Sequence, residues 1–235
     1  MSKRKGKSRD IDNRRLMSLM TGETYVPALD RHVPWEGHGE RALSIVGARL
    51  PGLSSMVSQP DKLKLPQRWW HPDFELRASK LMPLTVELKG HLELKDPSVQ
   101  NKLAQAELAV AAAGGRLLVF DSRRLAYSTE LRNTQVLRRY ARREVAPELV
   151  ESVLSGFRKT PSVALGVLVA ASKPVGVFRE DIYALLYRGV LDMDWSEFLD
   201  DATAVFVATP PPNPELLPTW LTNLLSWPLN PGGKS

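Results

Sequence analysis

Apolar residues recur at helical spacing over residues 37–50, where Leu43, Ile45, Val46 and Leu50 predict a partly buried helix with Glu40 in its first turn. Leu50-Pro51-Gly52 breaks the pattern, and Gln59-Pro60 precedes Lys62-Leu63-Lys64-Leu65, which alternates as a strand with one exposed face does. Residues 73–77 and 84–90 predict two further strands. Asp96-Pro97 predicts a helix start, because Asp accepts from the free amides of a first turn and proline tolerates the first helical position. Leu103, Ala106, Leu108, Val110 and Ala111 continue that helix, and Gly114-Gly115 supplies a left-handed stop. Leu117, Leu118, Val119 and Phe120 run consecutively, as in a strand buried on both faces. Strand, helix and buried strand in that order make a crossover unit in a mixed sheet.

Beyond residue 120 the pattern shortens. Arg123, Arg124, Arg132, Arg138, Arg139, Arg142 and Arg143 crowd a segment that reads mostly as helix. Pro147, Thr160-Pro161 and Lys173-Pro174 then punctuate short elements, with a helix over 180–188 and a strand over 204–208. Short helices ended by a strand suit a small, mainly helical, winged-helix-like domain. Asp192, Asp194, Glu197, Asp200 and Asp201 make it locally acidic, which favours a protein partner over DNA across its whole surface. Four segments are therefore expected: a basic arm over 1–30, a sheet-bearing domain over 31–145, the smaller domain over 146–208, and a proline-rich tail over 209–235. The arm carries Lys3, Arg4, Lys5, Lys7, Arg9, Arg14 and Arg15, and reads equally as a phosphate contact or a solvated tail. The tail, with Trp220 and Trp227 as apolar anchors, is expected to be disordered or to order on a partner.

Composition narrows the classes. With 235 residues, 43% of them hydrophobic, the chain can bury a real core. A net charge of +6 and a pI of about 9.6 favour a polyanionic partner such as nucleic acid. The absence of cysteine excludes disulfides, iron–sulfur clusters and thiolate zinc sites, leaving carboxylate and imidazole as side-chain ligands. No stretch approaches the roughly 18 apolar residues of a membrane span, so a soluble, cytoplasmic protein with no membrane partner is expected. His32, His38, His71 and His91 show no close metal-ligand spacing, and His71 reads as a neighbour of the site described next.

The candidate chemistry lies in residues 71–89. If the turn of a hairpin centres on Lys80, residue i faces residue 160 − i, which sets Phe74 beside Val86 and Leu76 beside Leu84 on an apolar face. The other face then carries Asp73 across from Glu87, and Lys89 points the same way while Leu88 turns into the core. A slip of one residue would bury both carboxylates among apolar side chains, at several kcal/mol per unpaired charge. Adjacent carboxylates raise one another's pKa unless a cation lies between them. Mg²⁺, with Mn²⁺ as a substitute, suits ligation by Asp73, Glu87 and the Leu88 carbonyl, leaving positions for water and a phosphate oxygen. Such an ion acidifies water and stabilises charge developing on phosphorus, with Lys89 orienting the water or balancing that charge. Trp69-Trp70 reads as core and hairpin-edge packing, with base stacking the alternative. Arg132, Arg138, Arg139 and Arg142 read as DNA phosphate contacts, with a solvated helix face the alternative.

An Asp followed by Glu-x-Lys is the signature of PD-(D/E)xK nucleases, whose fold is an α/β, restriction-endonuclease-like mixed sheet flanked by helices. The chain resembles, more closely, the TnsA endonuclease subunit of heteromeric bacterial transposases, which follows that nuclease domain with a winged-helix-like one. The matching elements are the helix with Glu40, Gln59-Pro60 before a strand, His71-Pro72-Asp73-Phe74, Val86-Glu87-Leu88-Lys89, and the helix leading to Ala113-Gly114. Further matches are Ser128-Thr129-Glu130-Leu131-Arg132-Asn133, Leu137-Arg138-Arg139-Tyr140 and the run from Tyr183 through Leu185, Tyr187 and Gly189 to Leu191, so the likeness spans roughly residues 35 to 208. It implies that Glu40 is the helix glutamate of the active site, Asp73 and Glu87 the metal-binding pair and Lys89 the catalytic lysine. The family's prototype has Gln where this chain has Glu87, so here the chain follows the wider nuclease superfamily. The resemblance also implies double-stranded DNA cut at transposon ends, a DDE transposase for the other strand, and an AAA+ ATPase regulator. A stand-alone or phage-type nuclease in recombination or defence is the alternative, as is a non-catalytic DNA-binding or scaffold protein, against which the intact carboxylates and lysine argue.

Overall fold

The computed structural model describes residues 20–209 and 216–227, which fall into two compact units: 20–126 with 216–227, and 127–209. The cations at positions 3–15 and most of the proline run lie outside the described residues.

In the first unit the chain forms β1 (Thr21–Val26), β2 (Arg31–Glu36) and α1 (Gly37–Gly47), then β3 (Leu53–Ser58). A small ribbon, β4 (Leu63–Lys64) with β5 (Trp69–Trp70), precedes β6 (Phe74–Ala78), β7 (Leu84–Lys89), α2 (Pro97–Ala112), β8 (Arg116–Asp121) and α3 (Ser122–Ala126). The second unit holds α4 (Thr129–Leu137), α5 (Pro147–Ser155), β9 (Val163–Ala164), α6 (Leu165–Ser172), α7 (Arg179–Tyr187), β10 (Leu191–Met193) and β11 (Ala204–Val207). The chain then returns to the first unit as α8 (Thr219–Thr222) and β12 (Leu225–Trp227).

The first unit is a mixed five-stranded sheet in the order β12-β8-β7-β6-β3, in which only β7 and β8 run parallel. The β6–β7 hairpin takes the anticipated register, Phe74 opposite Val86 and Leu76 opposite Leu84, around Lys80 at φ 69°. One sheet face, with Met56 and Leu76, meets α1 so closely that a Cβ on Gly47 would lie 3.0 Å from the Met56 side chain. On the other face Leu103, Ala106 and Val110 of α2 pack on Leu117 and Val119 of β8, with Leu65, Trp70 and Leu94 completing the cluster. The capping of α2 follows the sequence: the Ser98 amide donates to Asp96 Oδ1 at 2.7 Å, Pro97 opens the helix, and Gly114 at φ 76° ends it. The Gly114 and Gly115 amides satisfy the carbonyls of Ala111 and Val110.

Three expectations are corrected. The arm does not run to residue 30, because Thr24 and Val26 alternate inward on β1 and Ser44 of α1 donates to Thr24 Oγ1 at 2.6 Å. The units divide after residue 126 rather than 145, because buried Asn133 ties α4 to the 195–199 loop: its amide donates to the Glu197 carbonyl at 2.7 Å and its Oδ1 accepts from Leu199. Part of the supposed tail is core, with Leu217, Trp220, Leu221 and Leu224 buried and Leu225 paired with Phe120.

Candidate active site

Asp73 stands at the entry to β6, where the hairpin ladder gives out. Its amide donates to the Val86 carbonyl at 3.0 Å and its carbonyl accepts from Gln59 at 2.8 Å. Its carboxylate Oδ2 takes the Leu88 amide at 2.6 Å, so the side chain does what a backbone carbonyl would otherwise do and is fixed against β7. Asp73 therefore reaches β7 at Leu88, beside Glu87, rather than by a regular cross-strand pair.

Glu87 and Lys89 share one face of β7, in parallel register with Val119 and Asp121 of β8. Glu87 is 1% exposed above the apolar cluster of α2, a position that an ionised carboxylate occupies only if its oxygens are satisfied. Three donors do so. Lys89 Nζ lies 2.8 Å and Lys102 Nζ 3.3 Å from Oε1, and Trp70 Nε1 donates to Oε2 at 3.1 Å. Lys89 also donates to the Leu88 carbonyl at 3.1 Å.

Glu40 sits in the first turn of α1, its Oε2 accepting the Glu36 amide at 2.8 Å. Burial pushes its carboxyl up to about 7; that backbone hydrogen bond works against the rise, and the charges of Asp73 and Glu36 add to it. Asp73 is pushed up to about 6, first by burial and then by Glu87, against the Leu88 amide, Lys89 and Lys102. Burial alone would depress Lys89, but the charge and hydrogen bond of Glu87 outweigh it and raise its pKa. Three carboxyl groups thus share the site with two lysines, Lys89 and Lys102.

That excess is what a hard divalent cation relieves, and the donors present fit one: the Asp73 and Glu87 carboxylates and the Leu88 carbonyl, all oxygen. Among the described residues no group of three or more His, Asp or Glu side chains forms a ready-made metal cage, so such an ion would keep water or substrate oxygens in its shell.

All four sequence-predicted residues, Glu40, Asp73, Glu87 and Lys89, belong to the first unit; the charges of Glu87 and Lys89 bear on Asp73, and that of Asp73 bears on Glu40. Two contacts of Glu87, Trp70 and Lys102, were not anticipated; the tryptophan pair was read as packing, and Lys102 carries no local signal. The pair splits, with Trp70 buried and Trp69 54% exposed. His71 is exposed, next to Asp73 in sequence.

Arg132, Arg138, Arg139 and Arg142 fall in the second unit, not with the carboxylates. Arg132, Arg139 and Arg142 are exposed and Arg138 half-buried; the Arg132 guanidinium lies 5.5 Å from the Phe198 ring centre. Arg143 is engaged otherwise, in a 2.6 Å ion pair with Asp181, which caps α7. None of the described helices is long and apolar enough to cross a membrane. The chain matches no protein-family model and no curated protein, so its function has to be argued from these side chains.

Proposed function

We propose that this chain is a Mg²⁺-dependent DNA endonuclease of the PD-(D/E)xK type, with a restriction-endonuclease-like first unit. It acts as a TnsA-like subunit that cuts donor DNA at transposon ends beside a DDE transposase, under an AAA+ ATPase regulator. The observation that carries the nuclease reading is the convergence of Asp73, Glu87 and Lys89 at one end of the β6–β7 hairpin, with Glu40 in electrostatic contact. The transposase reading rests on the breadth of the sequence likeness. The succession α5, β9, α6, α7, β10, β11, with a sheet ordered β10-β11-β9, supports a winged-helix-like second unit. Exposed Arg132, Arg139 and Arg142 there suit phosphate contact.

Asp73, Glu87 and the Leu88 carbonyl would hold Mg²⁺, or Mn²⁺ in its place. Held there, it would acidify a water and neutralise charge developing on the phosphate. Asp73 is kept in its rotamer by the Leu88 amide, which limits reorganisation on loading. Lys89, held by the Leu88 carbonyl and Glu87, would supply an ammonium to balance charge on a phosphate oxygen. Glu40, titrating near neutral pH, is suited to take up the proton that the attacking water loses.

Supercoiled DNA incubated with the full-length protein and Mg²⁺ or Mn²⁺ provides the test. Wild type should nick or linearise it, and Asp73→Ala and Lys89→Ala should each lower the rate by at least about a hundredfold. Equal cleavage by wild type and both variants would refute the assignment.

A further inference from the structure

The β4–β5 ribbon presents two unlike faces. Leu63 pairs with Trp70 and Lys64 with Trp69, so alternation turns Leu63 and Trp70 inward and Lys64 and Trp69 outward. The inner face packs into the cluster of α2 and β8, and there Trp70 Nε1 reaches Glu87. On the outer face half of the Trp69 indole meets water, with Lys62 Nζ at 4.8 Å and Lys64 Nζ at 6.0 Å from its ring centre. Residues 62–70 contain Lys62, Lys64 and Arg68, all exposed, and no Asp or Glu.

Leaving a tryptophan half in water forgoes much of its burial free energy, and the core beneath is already filled by its neighbour. An aromatic ring with two ammonium groups close to it is poorly suited to the centre of a protein interface, where lysine is depleted. It does match what a nucleic-acid strand offers: a π face to stack on and anionic oxygens on both sides. The ribbon also adjoins the site, since the next residue holds Glu87.

We propose that the outer face of the β4–β5 ribbon grips DNA beside the active site, Trp69 stacking on an unpaired or everted base while Lys62, Lys64 and Arg68 hold the neighbouring phosphates. This deepens the nuclease reading and rests on it. It assigns Trp69 a role in positioning the strand and predicts preference for DNA with locally unpaired nucleotides over a fully paired duplex.

The test is equilibrium binding of the full-length protein to a labelled duplex bearing a single-stranded arm, with Ca²⁺ replacing Mg²⁺ to hold off cleavage. Trp69→Ala should weaken binding by about tenfold, and Trp69→Phe by far less, because base–aromatic stacking tolerates a change of ring. Trp69→Leu, which keeps apolar bulk but no π face, should bind as poorly as the alanine variant, so a general folding defect is separated from loss of stacking. Lys62→Ala with Lys64→Ala should reduce the slope of log affinity against log salt by about 1.4–1.8, the share of two phosphates. The same charge loss at exposed Arg158 and Lys159 should leave affinity within about twofold. Wild-type affinity in Trp69→Ala or Trp69→Leu, or an equal loss from the Arg158 and Lys159 changes, overturns the ribbon assignment, while an inactive Asp73→Ala leaves the nuclease standing. Weakened binding by the ribbon variants together with cleavage indifferent to Asp73 overturns the nuclease and keeps the grip. A wild type that binds no DNA overturns both.

Discussion

Asp73 and Glu40 are held protonated to an unusual pH, about 6 and about 7, mainly by burial. Their folded values lie above their unfolded ones, so each contributes stability that is complete below about pH 4 and lost as pH rises through 6 to 7. The loss is on the order of 2–3 kcal/mol for Asp73 and similar for Glu40. The metal-free protein should therefore melt at a lower temperature at pH 8 than at pH 5, and Mg²⁺ should restore part of the difference at pH 8 by binding ionised Asp73 beside Glu87. Asp73→Asn should roughly halve the pH response, since Glu40 still titrates, and remove most of the Mg²⁺ response. A melting temperature that is flat from pH 5 to 8, or indifferent to Mg²⁺ in the wild type, would contradict the electrostatics of the site. Glu87 and Lys89 on one face of β7 were legible in the sequence because strand parity links neighbours two apart, whereas Asp73 meets β7 through the Leu88 amide rather than directly across from Glu87. Trp70 and Lys102 were not legible, because their contacts with Glu87 depend on how a ribbon and a helix rotate onto the sheet, which no local spacing encodes.

Among the elements, α1 shows how narrow the tolerances are. A Cβ on Gly39 would stand 2.7 Å from the Ser122 Cβ of α3, so a glycine is what lets these helices approach and sets Glu40 at the site's edge. In an open helix Gly39→Ala would gain about 1 kcal/mol from propensity, but overpacking costs about 1–3 kcal/mol and wins here. The variant should melt lower than wild type and cleave DNA more slowly as Glu40 moves; an unchanged melting temperature and rate would mean that α1 and α3 part without consequence. The β6–β7 register and both ends of α2 could be read beforehand, from apolar pairing and from Asp96, Pro97 and Gly114. β1 and β2 could not, though Thr24 and Val26 pair across with Val33 and Arg31, because neighbouring charges and Pro34 masked the alternation. The six residues of β3 were passed over for the same reason, their inward Met56 and Ser58 being a weak apolar signal.

For the molecule as a whole, the second unit interrupts the first. Residues 127–209 are spelled out between β8 and the strand that pairs with it, and a reading that proceeds along the chain assigns the last segment to a tail. Only the sheet reveals that Leu217, Trp220, Leu221 and Leu224 are interior. Burying four such side chains contributes on the order of 6 kcal/mol, comparable with the entire stability of an ordinary domain, about 5–15 kcal/mol. A chain stopped after Thr209 should accordingly be insoluble or melt far below the full-length protein, whereas equal solubility and melting temperature would show that α8 and β12 are dispensable.

The late arrival of β12 also orders events during synthesis. Until residues 216–227 leave the ribosome, β8 keeps one open edge and the sheet that seats Glu87 and Lys89 lacks its outer strand. A translation product cut short in the second unit therefore carries every residue of the candidate site yet not the framework that holds them, and is open to proteases.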